Sequence, residues 1–154
     1  MELIDRICEE GMAALGPKYS GDSVLSVYAN AICAFYYFLN VGGFGQFLLD
    51  ILSSRELTDK LIDMQRKWMR NLGTEEVDAQ DVDRVLTMTI GGFNELAYAQ
   101  LSATGTFDVF DLVGFTINAT HALYRRNAAG EMIDLPKDDE FASKIEEACA
   151  RIRL

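Results

Sequence analysis

Residues 23–49 have the sequence SVLSVYANAICAFYYFLNVGGFGQFLL and contain no Asp, Glu, Lys, Arg or His. A run of this length is long enough to cross a membrane. Its glycine cluster, VGGFG, also raises the possibility of a phosphate-binding loop. The third interpretation is the buried interior of a soluble helical domain, and the fold depends on which of the three is correct.

The membrane interpretation is disfavoured by the borders and the interruptions of this run. A spanning helix needs about 20 predominantly apolar residues and usually has basic residues at its cytoplasmic end. Here both borders are acidic, Asp22 and Asp50. The uninterrupted part, residues 24–39, is only about 24 Å long at about 1.5 Å per residue. We therefore expect a buried helix followed by a break, and no association with a membrane.

The glycine cluster does not match a nucleotide-binding motif. VGGFG lacks the Gly-Lys-Ser/Thr ending of a phosphate loop, and the G-x-G-x-x-G spacing of dinucleotide-binding folds is absent. No strand-like alternation of apolar residues precedes it. The cluster is therefore expected to be a helix break, and a hinge between a long helix and a short one.

Composition limits the class of protein. The chain has 154 residues, of which 49% are hydrophobic and 25% charged, which is typical of one globular domain. The net charge of −10, without any cluster of Lys and Arg, argues against direct binding of nucleic acid. The acidic start MELIDRICEEGMAAL does not resemble a secretory signal, so we expect a cytoplasmic protein. Three well-separated cysteines are expected to be buried thiols rather than a disulfide framework or a metal site.

Apolar residues recur at helical spacing along the whole chain, which predicts an all-α bundle of six to seven helices. The predicted helices are residues 3–15, about 22–40, 44–52, 53–72, 79–102, 106–126 and 139–153. Glycine and proline at residues 16–17 predict the end of the first helix. The predicted N-caps are Ser20 or Asp22 for the second helix, Ser53 in a capping box with Glu56 for the fourth, Thr106 for the sixth and Asp138 for the last.

The single histidine, His121, does not indicate an enzyme. No second ligand signature supports a haem site, and the Glu-x-x-His pairs of a carboxylate di-metal bundle are absent. A nucleophilic triad would need His121 to meet a Ser or Cys and an acid through tertiary contacts alone. We expect no catalytic residue, no metal and no cofactor. The preferred interpretation of His121 is a partly buried structural or interface residue, with a polar contact in a ligand pocket as the alternative.

Aromatic side chains are concentrated in and around residues 28–47. Tyr, Phe and amide side chains (Asn30, Asn40 and Gln46) occur together there. Aromatic residues on helices usually belong to the core. This density exceeds what one small core needs, however, and apolar walls with a few polar groups are typical of a small-molecule pocket. Both interpretations remain open for any one of these side chains.

The order of the helices is similar to that of the regulatory domain of the tetracycline-repressor (TetR) family. The similarity rests on LNVGGFGQFLLDILSSRELTDKLIDMQRKW (residues 39–68), VDAQDVDRVLTMTIGGFNELAYAQL (residues 77–101) and TFDVFDLVGFTINATHALYRR (residues 106–126). It covers about residues 2–126. The first stretch resembles the family's short helix and the start of the next long one, and the other two resemble its last two major helices.

The resemblance implies a homodimer and an effector pocket. Helices 79–102 and 106–126 would pair with their copies in a four-helix dimer bundle, with close approach at Gly91, Gly92, Ala97, Gly114 and Ala119. A small hydrophobic effector would bind between the middle helices. The residues that would line its pocket are Tyr28, Phe35, Phe38, Phe44, Trp68, Met88, Phe93 and His121.

The resemblance also implies a division of the chain and of its role. Residues 1–130 would form the ligand-binding and dimerisation domain, and residues 131–154 a C-terminal extension with a short charged helix. The family binds DNA through an N-terminal helix-turn-helix unit, and this chain is expected to begin after such a unit, so DNA contact would not involve these residues. The expected function is small-molecule sensing in a TetR-like transcriptional regulator. The alternatives are an all-helical protein-interaction module without a ligand and, third, a helical enzyme or haem protein.

Overall fold

The computed structural model describes residues 2–21, 23–42, 45–71, 79–124 and 134–153. Within these ranges the chain is helical and contains no strand, which confirms the all-α prediction. The seven α-helices are α1 (Glu2–Leu15), α2 (Val24–Tyr36), α3 (Gly45–Leu52), α4 (Arg55–Asn71), α5 (Ala79–Thr104), α6 (Val109–Tyr124) and α7 (Asp139–Ala150). A short 3-10 turn (Pro17–Tyr19) precedes α2, and a π-helical turn (Tyr37–Val41) follows it.

The connection from α1 to α2 confirms the predicted helix end and corrects the predicted cap. Gly16 has a φ of 96°, a conformation that favours glycine, and α1 ends just before it. The N-cap of α2 is Ser23, whose Oγ accepts a hydrogen bond from the Ser26 amide at 3.2 Å. Ser20 does not cap α2, because its hydroxyl donates to the Pro17 carbonyl at 2.7 Å. The other predicted cap, Asp22, lies outside the described residues.

The end of α2 contains a π-helical turn that the sequence pattern does not predict. The amide of Gly42 donates to the carbonyl of Tyr37 at 2.9 Å, which closes the wide i→i+5 turn. The helical path therefore reaches Val41, one residue past the predicted end, and breaks at the predicted glycine cluster. Within that cluster Gly43 and Phe44 lie outside the described residues, and α3 begins at Gly45.

Two further predicted caps are displaced along the chain, and one is confirmed. Ser53 does not begin α4; its hydroxyl donates to the Leu49 carbonyl at 2.9 Å and so completes the end of α3. Before α6, Asp108 rather than Thr106 caps the helix, because the Asp108 carboxylate accepts from the Asp111 amide at 3.0 Å. Asp138 caps α7 as predicted and accepts from the Phe141 amide at 2.9 Å.

Helix α2 lies at the centre of the molecule. It packs against α1, α4, α6 and α7, while α5 packs against α3, α4 and α6. Side chains from most of these helices are completely buried between them, with examples in Ile7, Ile32, Leu48, Leu86 and Ile117. The fold is therefore a single layered bundle in which each outer helix buries one face against α2 or α5.

Helix α7 shares this core. Its residues Phe141, Ile145 and Cys149 are buried, and the Phe141 ring stacks on Tyr28 with centroids 5.7 Å apart. Beyond α7 the Arg153 carbonyl accepts a hydrogen bond from Arg6 of α1 at 2.9 Å. The described part of the predicted C-terminal extension thus packs between α1 and α2 instead of lying apart from the bundle.

Shortening Ile145 tests how much α7 contributes to the core. Ile145 is fully buried, so Ile145→Ala should lower the free energy of unfolding by about 2–5 kcal/mol, through lost burial and the cavity left behind. Glu147→Ala, at an exposed position on the same helix, should change it by less than about 0.5 kcal/mol. Urea denaturation measures both. Equal, small effects would mean that α7 does not stabilise the bundle.

Candidate functional site

A small cavity lies between α1, α2, α3 and α4. Its volume is about 20 Å³, enough for one water molecule. Most of its lining is apolar and comes from the faces that these helices turn toward one another. The lining residues are Ile4, Cys8, Asn30, Ala31, Ala34, Phe35, Phe38, Ile51, Leu57, Lys60, Leu61 and Met64.

One polar atom in this cavity wall has no hydrogen-bond partner. The side-chain oxygen of Asn30, Oδ1, is buried and accepts no hydrogen bond from the described residues. Leaving a buried acceptor unpaired typically costs about 1–3 kcal/mol. At the rim of the cavity the Lys60 ammonium forms an ion pair with Asp5 of α1. Apolar walls are typical of small-molecule pockets, but such pockets usually have volumes of about 300–1,000 Å³, far above that of this cavity.

Aromatic rings form the wall of the cavity on the α2 side and continue beyond it. Phe35 packs against Phe93 of α5, with ring centroids 4.9 Å apart, and against Phe107, at 6.1 Å. Phe38 lies in the π-helical turn and packs against Phe47, at 6.2 Å. Phe38 is 2% exposed and Phe47 45% exposed, so this ring contact runs from the buried wall toward the surface. Of the predicted pocket residues, Phe35 and Phe38 thus line the cavity, whereas Phe93 contacts Phe35 without lining it.

Tyr28, another predicted pocket residue, lies in a different environment. Its hydroxyl donates to the Pro136 carbonyl at 2.8 Å, and its ring is covered by Phe141. Burial, and to a smaller degree the Asp108 carboxylate, raise the pKa of Tyr28 to about 12. Tyr28 borders a surface groove of about 370 Å³ beside Leu135 and does not line the cavity at Phe35.

The remaining predicted pocket residues are not assembled around the cavity. Met88 is 68% exposed on the outer side of α5. His121 is partly buried on α6 and does not line the cavity. Phe44 and the side chain of Trp68 lie outside what the structure describes.

The sequence reasoning missed most of the α1 and α4 side of the cavity. Leu57, Leu61 and Met64 line it from α4, and Ile4 and Cys8 line it from α1. Their helical spacing was recognisable, because residues three and four apart share one face. That spacing alone does not distinguish a face packed on the core from one that lines a cavity.

The residues predicted for a dimer interface have different surroundings. Gly91 and Gly92 face open space, and Ala119 is partly buried. Ala97 is completely covered by the chain's own core, so its side chain does not reach the surface. A Cβ atom added at Gly114 would lie 3.9 Å from the Tyr28 ring, so Gly114 faces its own chain.

Helices α5 and α6 nevertheless expose several apolar side chains on their outer side, here called the α5–α6 face. They pack side by side, with the Thr89 and Thr120 hydroxyls 2.9 Å apart. On the side away from the core, exposed small or apolar residues follow helical spacing along both helices. They are Met88, Gly92, Leu96, Ala99 and Ala103 on α5, and Phe115, Ala122 and Leu123 on α6. Exposed apolar patches of this kind are typical of interaction surfaces.

The three cysteines converge although they are far apart in sequence. Cys149 of α7 donates a hydrogen bond to the Cys33 carbonyl of α2 at 3.5 Å, and all three thiols are free. Hydrogen bonding with Cys149 and then burial raise the pKa of Cys33, and burial raises the pKa of Cys8 to about 12. Raised pKa values keep the Cys8 and Cys33 thiols neutral, and neutral thiols in apolar surroundings are poor nucleophiles, so these two act as core packing.

The two remaining classes of site are a metal site and a membrane-spanning helix. The described residues contain no group of three or more His, Cys, Asp or Glu side chains able to hold a metal ion. Among the same residues, one helical stretch, Val24–Val41, is long and apolar enough to cross a membrane by length and composition alone. Half of that stretch is buried inside the protein, consistent with the expected core helix.

Comparison with protein-family models, with curated proteins and with solved structures gives no match to this chain.

Replacing Asn30 with leucine tests whether its unpaired side-chain oxygen lowers the free energy of unfolding. Asn30→Leu removes an unpaired buried acceptor from an apolar wall, so it should raise the free energy of unfolding by about 1 kcal/mol. Asn40→Leu is the matched control. Asn40 is exposed and donates to the Tyr36 carbonyl at 3.3 Å, so this change should stabilise nothing. A loss of stability in Asn30→Leu, measured by urea denaturation, would contradict the assignment.

Proposed function

We propose that this chain is a small-molecule-sensing regulatory domain similar to those of TetR-like transcriptional regulators. It binds a mostly apolar effector between α1, α2 and α4, and it dimerises through the α5–α6 face. The observation that carries the proposal is the mostly apolar cavity beside Phe35 and Phe38, which is also lined by Asn30, a residue with an unpaired buried side-chain oxygen. A core selected only for stability would place an apolar side chain at this position.

Effector binding requires the cavity to expand, because about 20 Å³ holds no organic molecule larger than water. The wall at Phe38 is suited to such an expansion of the cavity. Phe38 lies in a π-helical turn, a feature that is common at functional sites, and its ring packs against the partly exposed ring of Phe47. Movement of Phe38 toward Phe47 would open the cavity at the end of α2.

The proposed signal passes through the break between α2 and α3. Phe38 at the end of the long helix and Ile51 of α3 line the same cavity, so an effector between them would displace one helix relative to the other. The glycine cluster between these helices is the hinge in this proposal. Movement at this hinge would change the position of α3, which packs on α5.

The dimer part of the proposal rests on the α5–α6 face. Gly92, Ala99 and Ala103 alternate along α5 with the larger Met88 and Leu96, all of them exposed. Small residues at this spacing allow the helices of a second copy to approach closely, while the larger side chains fill the gaps between helices. Two helices from each copy would then bury their apolar surface in a four-helix contact, as in the family that the sequence resembles.

A second candidate function is an all-helical protein-interaction module without a ligand. The small volume of the cavity and the exposed α5–α6 face favour it. In that case the face would be occupied by a different protein, and the net charge of −10 would suit a basic partner. Under both candidates we propose a cytoplasmic protein that is not an enzyme and does not itself contact DNA.

The dimer is tested by placing charges on its proposed interface. Leu96→Glu combined with Phe115→Glu should raise the dissociation constant of the homodimer by about thirty-fold or more, because each buried carboxylate would lack a partner. Val41→Glu combined with Phe47→Glu is the matched control on exposed apolar residues elsewhere, and should leave association unchanged. Sedimentation equilibrium measures both. A wild-type chain that is monomeric at every concentration would refute the dimer.

Ligand binding in the cavity is tested with toluene as an apolar probe. Toluene should raise the melting temperature of the wild-type chain, since a ligand that binds only the folded state stabilises it. Ala31→Leu fills the cavity and should weaken toluene binding at least about ten-fold. Ala13→Leu, at an exposed site on α1, should not. If toluene does not stabilise the wild-type chain, or if Ala31→Leu has no effect, the cavity is not an effector site.

A further inference from the structure

A surface groove beside α6, here called the α6 groove, is much larger than the cavity at Phe35. Its volume is about 370 Å³, within the range of about 300–1,000 Å³ that is typical of small-molecule pockets. The lining comes from α6, from residues 134–137 before α7 and from Tyr28 of α2. None of the described residues lines both the groove and the cavity, so the two are separate.

Gly114, inside α6, leaves part of this groove open. Glycine inside a helix is less favourable than alanine. An added Cβ atom would make only ordinary van der Waals contacts, at 3.9 Å from the Tyr28 ring and 4.0 Å from Leu135. The packing of α6 therefore does not require glycine here, and the space that the missing side chain leaves belongs to the groove.

Aromatic and aliphatic side chains form much of the groove. Phe110 is partly buried, and its ring packs edge-on against Phe141, with centroids 6.0 Å apart. Phe115 is 62% exposed and lies where the groove adjoins the α5–α6 face. Leu135 lines the groove from the segment before α7. Such walls suit a ligand with an apolar or aromatic body.

The charges in the groove are mostly negative. Asp111 and Asp134 line it and are exposed, and neither forms an ion pair with another described residue. Burial and then the Asp108 carboxylate raise the pKa of Tyr28, so a third acid acts on the same wall. Lys137 is the one cation among the described lining residues and offsets only one of these charges. The groove therefore attracts cations and repels anions, in the same sense as the net charge of −10.

We propose that the α6 groove binds a small organic cation whose ammonium group pairs with Asp111 and Asp134. The ammonium N–H groups donate to these carboxylates. The apolar body of the ligand packs against Phe110 and Leu135 and occupies the open space at Gly114. Aromatic rings favour the same charge, because their faces attract cations. This site is additional to the proposed effector cavity, and neither depends on the other.

Phenylethylamine and phenylethanol are matched probes for this proposal. They share the same aromatic body, and at neutral pH they differ by an ammonium group in place of a hydroxyl. Binding of both is measured on the full chain by NMR titration, with the backbone amide of Gly114 reporting on the groove and that of Ala31 on the cavity. The amine should bind at least about five-fold more tightly than the alcohol and shift the Gly114 resonance, because only the amine can form ion pairs with the two carboxylates.

Neutralising the two carboxylates tests the ion pairs. Asp111→Asn combined with Asp134→Asn should weaken binding of the amine at least about five-fold and change binding of the alcohol less than about two-fold. Glu9→Gln combined with Glu147→Gln is the matched control. It removes the same number of charges at exposed positions outside the groove, and should change binding of the amine less than about two-fold.

Equal affinities for the two probes, or amine binding that leaves the Gly114 resonance unshifted, would overturn the proposal. An equal loss of amine binding in the groove variant and in its control would also overturn it, because overall charge alone would then explain the preference. If the groove variant fails to fold, the wild-type titration decides alone: a Gly114 shift with preference for the amine supports the proposal, and any other result refutes it. Toluene binding is read at Ala31, so the effector cavity stands or fails separately.

Discussion

The structure depends on the burial of one helix. Residues 24–36 of α2 carry no Asp, Glu, Lys, Arg or His, and side chains on most of its circumference, from Tyr28 to Phe35, are almost fully buried. A helix that is apolar on nearly all sides is stable in water only when other helices cover it. Helices α1, α4, α6 and α7 do so, and each needs only one apolar face for that purpose. This explains why an acidic chain with ordinary composition forms one bundle.

Polar side chains on α2 need hydrogen bonds, because their burial without a partner would be costly. The Ser26 hydroxyl donates to the Tyr19 carbonyl, and the Tyr28 hydroxyl donates to the Pro136 carbonyl. The side-chain oxygen of Asn30, two residues after Tyr28, has no such partner. Two neighbouring polar side chains are thus satisfied by the fold and the third is not, although all three lie on the same helix. An unpaired buried acceptor calls for an explanation that the packing of α2 alone does not supply.

Sequence periodicity predicted the helices well, and the details depended on tertiary structure. Ser20, Ser53 and Thr106 are good cap residues, yet Ser23 and Asp108 cap α2 and α6, because the cap is set by where the backbone leaves the helix. The π-helical turn has no sequence signature. Phe35 and Phe93, two of the residues that the resemblance implied for the pocket, are in contact, whereas Tyr28, from the same set, lies apart from them. Tyr28 shares a face with Phe35, but it lies two turns, about 10 Å, away along the axis and so meets a different neighbour.

The central helix also links the two parts of the proposed function. On one side, Phe35 and Phe38 of α2 form the wall of the cavity. On the other side, α2 packs against α6, where Gly114 faces the Tyr28 ring, and Phe35 contacts Phe107 just before α6 begins. A close-packed helix moves as a unit, because its side chains have no free volume in which to absorb a displacement. An effector that displaces the end of α2 would therefore act on the helix that carries half of the α5–α6 face, without any intervening flexible segment.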